Sequence, residues 1–260
     1  MELELKNKVG IITGASRGIG AGIARTLGRE GCRLILSARS TEELNLVAAE
    51  VKKAGGHAVV CTANLLQPEA AQPLVDVALK EYGRLDFIVA NAGSARTGDF
   101  LKLTDSDWDD GFGLKFFGHM RLIRAAWFYL QASNGSVVIL GGGAGRTPSA
   151  HSMITGAVNS ALMNFTKALA DRGLSDGVQV NGVNPGSVRT ERWLGRLQKL
   201  VKSEGISEAE AEKRMVERGR QRRMGEPEDI AAMIAFILSK HGSYLHGAIV
   251  DVDGGRNKGL

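Results

Sequence analysis

The chain has 260 residues, of which 43% are hydrophobic and 23% charged, a composition typical of a globular protein rather than a disordered or fibrous one. This length suits one α/β domain, so we expect a single domain over residues 1–260. The net charge of +5 is spread along the chain instead of gathered with aromatic residues into a stripe, which argues against a nucleic-acid partner.

The start of the chain lacks the layout of a signal peptide, and no uncharged apolar run is long enough to span a bilayer. The two cysteines, Cys32 and Cys61, show no metal-ligand spacing and are interpreted as structural thiols. We therefore expect a cytoplasmic protein with neither a membrane partner nor a metal site.

Short apolar runs alternate with amphipathic segments along the whole chain. Seven runs are predicted as strands, at residues 9–12, 33–38, 57–62, 85–90, 135–140, 178–183 and 248–252. Six segments are predicted as helices, at residues 21–31, 41–56 with Thr41 as N-cap, 68–83, 106–131, 151–174 and 227–239. Because the strands are apolar without a period of two, they are expected to be buried on both faces. The pattern predicts an α/β fold with a doubly wound parallel sheet.

A glycine-rich loop, TGASRGIG at residues 13–20, joins the first strand to the first helix. Strand, glycine turn and helix together aim backbone N–H groups and the positive end of a helix dipole at a phosphate. In this order Gly14 permits the tight turn, Gly18 lets the backbone approach the ligand, and Gly20 lets the helix pack on the strand. The alternative is an ordinary turn. The later segments favour a dinucleotide site.

Residues 187–225 interrupt the alternation with a highly charged, amphipathic segment that follows the carboxyl end of the sixth strand. This position suits an inserted lid over a substrate crevice, and a solvated helical pair is the alternative. Trp193, Leu194 and Leu197 are candidates for an apolar face of that lid.

Four motifs together resemble the short-chain dehydrogenase/reductase family, classical type, over nearly the whole chain. They are the glycine loop, Asn91-Ala92-Gly93 after the fourth strand, Asn184-Pro185-Gly186 with Thr190 behind it, and Val252-Asp253-Gly254-Gly255 near the end. The resemblance implies a Rossmann-like sheet of seven parallel strands in a single domain, a small-molecule substrate, and a homodimer or homotetramer built on the two long helices. It also implies these cofactor-binding residues: Gly14, Ser16, Arg17, Gly18, Ile19, Gly20, Arg39, Asn64, Leu65, Asn91, Ala92, Gly93, Pro185, Gly186, Val188 and Thr190.

The end of the second strand indicates which dinucleotide is bound. An acidic residue there would bond the ribose 2′-hydroxyl and repel a 2′-phosphate, but this chain has Ala38 followed by Arg39. Arg17, in the glycine loop, supplies a second guanidinium group. Two such groups can hold a phosphate by charge-assisted bonds, so NADP(H) is favoured over NAD(H).

The catalytic positions implied by the resemblance hold unusual residues. Counting from the helix segment 164–170, the family's tyrosine falls on Thr155, its lysine on Asn159, its serine on Gly142 and its asparagine on Lys115. The tyrosine donates the proton in the family, and a threonine hydroxyl is far less acidic than a phenol. Ordinary ketone reduction is therefore expected to be crippled.

The lysine and the asparagine are exchanged between positions 115 and 159. We hypothesise that the Lys115 ammonium reaches Asn159 and Thr155 and restores a positive charge near the nicotinamide ribose. Alternatively, its stem packs locally and its amine reaches solvent. His151 is a candidate substitute acid if the helix starts early enough to put it one turn from Thr155, and His119 is a weaker one.

Three functions remain open from the sequence. The first is an NADP(H)-dependent oxidoreductase that reduces a polarised C=C, C=N or carbonyl group and needs little help from a phenol. The second is a non-catalytic NADP(H)-binding sensor or scaffold subunit. The third, an ordinary carbonyl reductase, would require a different alignment of the catalytic positions.

Overall fold

Seven strands form one parallel sheet in the order β3-β2-β1-β4-β5-β6-β7. The structure is a computed structural model that describes residues 2–259. Each strand starts and ends within two residues of its predicted place, which confirms the predicted α/β fold with a Rossmann-like parallel sheet. The strands are β1 (Val9–Thr13), β2 (Arg33–Ser37), β3 (His57–Val60), β4 (Phe87–Ala90), β5 (Ser136–Leu140), β6 (Gln179–Pro185) and β7 (Ile249–Val252).

Helices cover both faces of the sheet, and each face has its own apolar core. Neighbouring residues of β1 illustrate the division, because Ile12 packs in one core and Ile11 in the other. Helices α1, α2 and α9 contribute to the first core, and α3, α5 and α6 contribute to the second. The α-helices are α1 (Gly18–Arg29), α2 (Thr41–Lys53), α3 (Ala71–Tyr82), α4 (Asp105–Phe112), α5 (Gly118–Ser133), α6 (Met153–Asp176), α7 (Glu191–Glu204), α8 (Glu208–Gly219) and α9 (Pro227–Leu238).

The strand order reverses direction between β1 and β4. The chain runs outward from β1 through β2 to β3, and then returns to β4 on the other side of β1. In doubly wound sheets, ligands bind in the crevice that this reversal opens at the carboxyl ends of the strands. The glycine loop after β1 and the Asn91-Ala92-Gly93 segment after β4 both lie at that edge.

The prediction of one continuous α-helix over residues 106–131 is wrong. It consists of α4, one π-helical turn at Gly113–Phe117, and α5. A π turn inserts an extra residue into the ladder of hydrogen bonds, and such turns are frequent at functional sites. This one contains Lys115.

Two predicted helix starts also need correction. Ser40, not Thr41, is the N-cap of α2, because its hydroxyl accepts a hydrogen bond from the backbone N–H of Glu43 at 3.3 Å. The helix predicted from residue 151 begins at Met153, and His151 lies in a separate 3₁₀ turn, Ala150–Ser152.

The inserted segment 187–225 forms two helices, α7 and α8, with a small apolar cluster of their own. That cluster contains Trp193, Leu197, Ala211 and Met224. The two ends of the segment are held together, because Val188 and Gly225 form a bridge and the Arg189 N–H donates to the Gly225 carbonyl at 2.8 Å.

Within residues 2–259, none of the helices combines the length and the apolar character needed to cross a membrane. Over the same residues, no group of three or more His, Cys, Asp or Glu side chains is arranged to hold a metal ion.

Candidate cofactor and catalytic site

The glycine loop forms a tight cradle at the start of α1. Gly14 has a φ of +64°, in the left-handed region that favours glycine. A Cβ added at Gly20 would lie 2.1 Å from the Gly14 carbonyl oxygen, so only glycine fits there. Arg17 is the N-cap of α1 but makes no capping bond with its side chain, and the first N–H groups of the helix are left for another acceptor. This arrangement fits a phosphate group.

Asn91 and Thr13 join the glycine loop to the end of β4. The Asn91 side-chain amide donates to the Thr13 carbonyl at 2.8 Å and to the Gly14 carbonyl at 3.2 Å. The Thr13 hydroxyl accepts from the backbone N–H groups of Asn91 and Ala92, each at 3.0 Å. These bonds fix the floor of the crevice at the point where the sheet reverses.

The side chain of Lys115 crosses this floor from the π turn. A Cβ added at Gly93 would lie 3.0 Å from Lys115 Cδ, so the glycine provides the space in which the aliphatic stem lies. The Lys115 ammonium donates to the Gly141 carbonyl at 2.9 Å and to Asn159 Oδ1 at 2.6 Å. Lys115 therefore points into the site and bonds to the residues after β5 and on α6.

Gly142 and Asn159 lie against each other beside this ammonium group. Asn159 is buried, and a Cβ added at Gly142 would lie 2.8 Å from its Nδ2 atom. The Gly142 N–H donates to Asn184 Oδ1 at 2.8 Å, and Asn184 Nδ2 donates to Asp251 Oδ1 at 2.7 Å. The backbone after β5 is therefore fixed by a chain of polar groups that ends on β7.

Burial lowers the pKa of Lys115 from 10.5 to about 8, and the positive charge of Arg192 adds to this effect. The ammonium is still mostly protonated at neutral pH. It is also close to releasing its proton, which is the condition under which a general acid works best.

Comparisons with known proteins agree with this geometry. A family model described as enoyl-(acyl carrier protein) reductase matches residues 14–257. A short chain dehydrogenase/reductase of Aspergillus novofumigatus is 31% identical over 255 residues, covering 96% of each chain. The chain belongs to the short-chain dehydrogenase/reductase family.

Two further members show how widely the similarity extends. Tetrahydroxynaphthalene reductase of Pyricularia oryzae is 29% identical over 256 residues, covering 96% of this chain and 90% of that protein. The crystal structure of L-sorbose reductase from Gluconobacter frateurii, complexed with NADPH and L-sorbose, superposes with a TM-score of 0.95 at 27% identity over the whole of both chains.

The remaining cofactor residues implied by the family resemblance lie around the same edge. Asn64 and buried Leu65 follow β3, and the Asn64 side chain accepts from the Leu66 N–H at 3.3 Å. Pro185 ends β6, and a Cβ added at Gly186 would lie 2.6 Å from Asp253 Cα. Val188 is buried, and Ser16 and Ile19 are half-buried within the glycine loop.

Thr190 brings the inserted segment onto the glycine loop. Its hydroxyl caps α7 by accepting from the Trp193 N–H at 3.4 Å. A Cβ added at Gly18 would lie 3.2 Å from Thr190 Cγ2. The start of α7 therefore closes one side of the cradle.

The two arginines predicted to select the phosphorylated dinucleotide are both exposed. Arg39 follows β2 and the half-buried Ala38. An Arg17 Nη1 atom lies 3.9 Å from Glu43 Oε1, a distance at which two exposed groups interact weakly. Over the part of the chain that the structure describes, neither guanidinium group makes a strong bond to another side chain.

The predicted contact between Lys115 and Asn159 is present, but the expected contact with Thr155 is not found among residues 2–259. Thr155 is half-buried in the first turn of α6. His151 is exposed and precedes α6, so the early helix start that would put it one turn from Thr155 is not met.

The structure argues against the hypothesis that His119 is a proton donor. It is fully buried, and its Nε2 atom lies 2.7 Å from the Ala92 carbonyl oxygen. Burial lowers the pKa of His119 to about 3, helped by the nearby Lys115 charge and opposed by the bond to Ala92. A neutral imidazole then donates from Nε2 and supports the loop after β4.

The expected apolar lid face is mostly turned inward. Trp193 and Leu197 are buried within the cluster of α7 and α8, and Leu194 is exposed. Arg189 ties these helices to α9, because its guanidinium donates twice to Glu212 at 2.7 Å, once to Glu226 at 2.9 Å, and stacks 4.9 Å over the Trp193 ring.

Sequence reasoning missed four contributors to the site. The Gly141 carbonyl accepts from Lys115, Asn184 and Asp251 fix Gly142, and Arg192 acts on Lys115 through its charge. Asn184 lies inside a motif that carries the family resemblance. The signal that could have identified it is a polar residue at the end of a buried strand. The Gly141 carbonyl carries no signal in the sequence.

Proposed function

We propose that this protein is an NADP(H)-dependent oxidoreductase that acts on a small molecule through a non-standard active site. In it, Lys115, Gly142, Thr155 and Asn159 occupy the positions of the family's asparagine, serine, tyrosine and lysine. Family membership supports the reaction type, and the names of the similar reductases support the direction of reduction.

The cradle fits a dinucleotide because a side chain at Gly14, Gly18 or Gly20 would fill or distort it. The phosphates would contact the N–H groups at the start of α1, and Arg17 and Arg39 would hold the 2′-phosphate. The NADPH in the L-sorbose reductase complex supports the phosphorylated cofactor. Thr190 and Pro185 would border the nicotinamide end, and Asn64 with Leu65 would border the adenine.

Bound NADPH would supply a hydride, so the chain itself has to orient the substrate and manage one proton. Thr155 is too weak an acid to donate that proton unaided. The Lys115 ammonium bonds to Asn159 at another of the family's catalytic positions, and its lowered pKa makes it the better donor. The substrate is then a polarised C=C, C=N or carbonyl group.

One observation carries this proposal, which is the path of Lys115 across Gly93 to Asn159 Oδ1 and the Gly141 carbonyl. A surface lysine that had lost a function would extend into water, where both its charge and its entropy are favourable. In this protein the ammonium instead loses hydration and lies where a cation is needed. The charge of the family's lysine is thereby kept, although it comes from a different helix.

The further assignments rest on the same family relation. We propose a single domain over residues 1–260, residues 187–225 as a substrate lid, and a cytoplasmic homodimer or homotetramer. The position of α7 on the glycine loop supports the lid. The exposed Phe128 on α5 and Leu174 on α6 support association through the two long helices.

The test combines cofactor binding with turnover. Titration of NADPH by its fluorescence should show binding, and panels of carbonyl, imine and enone substrates should reveal NADPH oxidation. Replacement Lys115→Met should lower turnover at least tenfold, because the cation is lost while the bulk is kept. The matched control Lys80→Met, on the exposed face of α3, should leave turnover unchanged.

Binding without turnover on any panel would instead support a non-catalytic NADP(H)-binding subunit. A fourfold replacement distinguishes the two readings further, with Lys115→Asn, Gly142→Ser, Thr155→Tyr and Asn159→Lys made together. Gain of ketone reduction would support the assignment of these positions. A variant that binds NADPH and stays inert would contradict it.

A further inference from the structure

The carboxamide of Asn159 is held in one orientation. Its Oδ1 atom accepts a 2.6 Å bond from the Lys115 ammonium, which has only donors to offer, so the other branch of the amide is Nδ2. The residue as a whole is 1% exposed, and no hydrogen bond of its Nδ2 atom is found within residues 2–259. Nδ2 is not among the fully buried side-chain atoms that lack a partner, so the small surface that Asn159 keeps includes this nitrogen. An amide nitrogen that keeps some accessible surface and bonds to no protein acceptor has two N–H groups to offer a ligand.

Gly142 provides the space into which this amide nitrogen points. A Cβ at position 142 would lie 2.8 Å from Asn159 Nδ2, closer than real Cβ atoms approach. The backbone of Gly142 is extended, with φ 168° and ψ 149°, so its conformation does not call for glycine. Glycine at position 142 is therefore explained by the room that it leaves. That room lies next to Asn159 Nδ2, for which no acceptor is found among the described residues.

The other donors around this space are nearly all in use. The Gly142 N–H is bonded to Asn184, and the Gly141 N–H is bonded to the Val183 carbonyl at 2.9 Å. The Lys115 ammonium has three hydrogens, and two of them bond to acceptors among residues 2–259. One N–H of Lys115 and the amide of Asn159 are thus left for a ligand.

We propose that Asn159 Nδ2 and the remaining Lys115 N–H form a two-donor site for a substrate oxygen that becomes negative during reduction, in particular the enolate oxygen of an α,β-unsaturated carbonyl compound. Gly142 keeps this site open, and Lys115 keeps the amide aligned. This deepens the function proposed above and rests on it for the hydride.

The chemistry of an enolate suits these donors. Hydride adds to the β-carbon, and the electrons of the C=C bond move to leave negative charge on the carbonyl oxygen. Hydrogen bonds from an amide and an ammonium stabilise that charge in a site withdrawn from water. The α-carbon then takes one proton from Lys115 or water, and the carbonyl group re-forms. No strong acid is needed at the oxygen, whereas an alkoxide formed from a simple ketone would need one.

A nitrophenol tests the site without turnover, because its phenolate is a stable oxyanion with its own absorbance. We expect the protein, with or without NADP⁺, to bind the probe in its ionised form and so to lower the probe's apparent pKa. The near-isosteric change Asn159→Asp keeps an acceptor for Lys115 but replaces the amide donor with a negative charge. It should weaken phenolate binding at least tenfold, since a hydrogen bond to a charged group is worth that much.

Two alanine variants form a matched pair. Gly142→Ala should weaken phenolate binding at least tenfold, although it removes no functional group, because the added Cβ displaces Asn159 Nδ2. Gly143→Ala is the control, since nothing lies within 4 Å of a Cβ added there. It should bind the phenolate like the unchanged protein.

The proposal is overturned if the unchanged protein does not bind the phenolate, or if Asn159→Asp and Gly142→Ala bind it equally well. NADPH titration of the same samples separates this result from the proposed function. Phenolate binding without NADPH binding would refute the oxidoreductase but keep the oxyanion site. NADPH binding without phenolate binding would refute the oxyanion site but keep the proposed oxidoreductase.

Discussion

The Lys115 ammonium should make the stability of this protein depend on pH in a direction that can be worked out. Its pKa falls to about 8 in the folded chain from 10.5 in the unfolded chain, chiefly through burial. Between these values the unfolded chain binds more protons than the folded one. The free energy of unfolding contributed by Lys115 therefore rises with pH through this window, and the full cost of holding the charge is felt below pH 8.

The size of the effect follows from the shift. At 1.36 kcal/mol for each pH unit, Lys115 should contribute about 2 kcal/mol more to stability at pH 10 than at pH 7. Cys32 acts in the opposite sense, because burial raises the pKa of its thiol to about 12 and stability is lost above its unfolded value. The pH dependence of the unchanged protein alone is therefore not informative. The quantity to measure is the difference in free energy of unfolding between the unchanged protein and Lys115→Met.

Urea unfolding of both proteins at pH 7, 8, 9 and 10 gives that difference. The contribution of Cys32 is common to both and cancels. From pH 7 to pH 10, we expect the free energy of unfolding of the unchanged protein to rise by about 2 kcal/mol relative to that of Lys115→Met. A constant difference would mean that the pKa of Lys115 is ordinary, and the argument for it as a proton donor near neutral pH would fail.

Three further outcomes are expected from other parts of the site. Arg39→Ala should weaken NADPH binding about tenfold and leave NADH binding unchanged, with Arg29→Ala on α1 as control, measured by cofactor fluorescence. Gly20→Ala should abolish dinucleotide binding, because its Cβ would lie 2.1 Å from the Gly14 carbonyl oxygen, whereas Gly195→Ala inside α7 meets nothing within 4 Å and should stabilise the fold by about 0.5–1 kcal/mol in thermal unfolding. Arg189→Ala should speed limited proteolysis between α7 and α8, since the links to Glu212 and Glu226 are lost; an unchanged cleavage rate would show that the inserted segment is held by its apolar cluster alone.

The sheet was predictable from the sequence because each strand is a short apolar run set between glycine, proline or polar residues. Ile11 and Ile12 are both buried, one on each face, and this lack of alternation is what a parallel sheet covered by helices requires. The boundaries that were wrong depend on single side-chain bonds. Ser40 and Thr41 are both good N-caps, and only the direction in which the Ser40 hydroxyl points decides between them.

The site was less predictable because its key contacts join distant elements. Lys115 and Asn159 are 44 residues apart, and their contact was predicted only because the family resemblance placed both residues at facing catalytic positions. The π turn that carries Lys115 left no clear mark in the pattern of residues 106–131. The burial of His119 and the inward packing of Trp193 likewise depend on tertiary neighbours, since both residue types occur at surfaces as well as in cores.

On the proposed assignment of positions 115 and 159, the exchanged lysine and asparagine constrain each other. A lysine at position 159 beside Lys115 would bring two ammonium groups within hydrogen-bonding distance, and like charges that close repel by several kcal/mol even when partly screened. An asparagine at both positions would leave the Gly141 carbonyl and the cofactor region without a cation. Only one lysine and one asparagine keep both the charge and the hydrogen bond, in either order. With the lysine on the π turn, its partner's amide nitrogen lies next to position 142, where an added Cβ would be 2.8 Å away and the amide would have to shift. On the same proposed assignment, the glycine at the family's serine position and the exchanged pair are explained together, because a larger residue at 142 would disturb the amide that Lys115 holds.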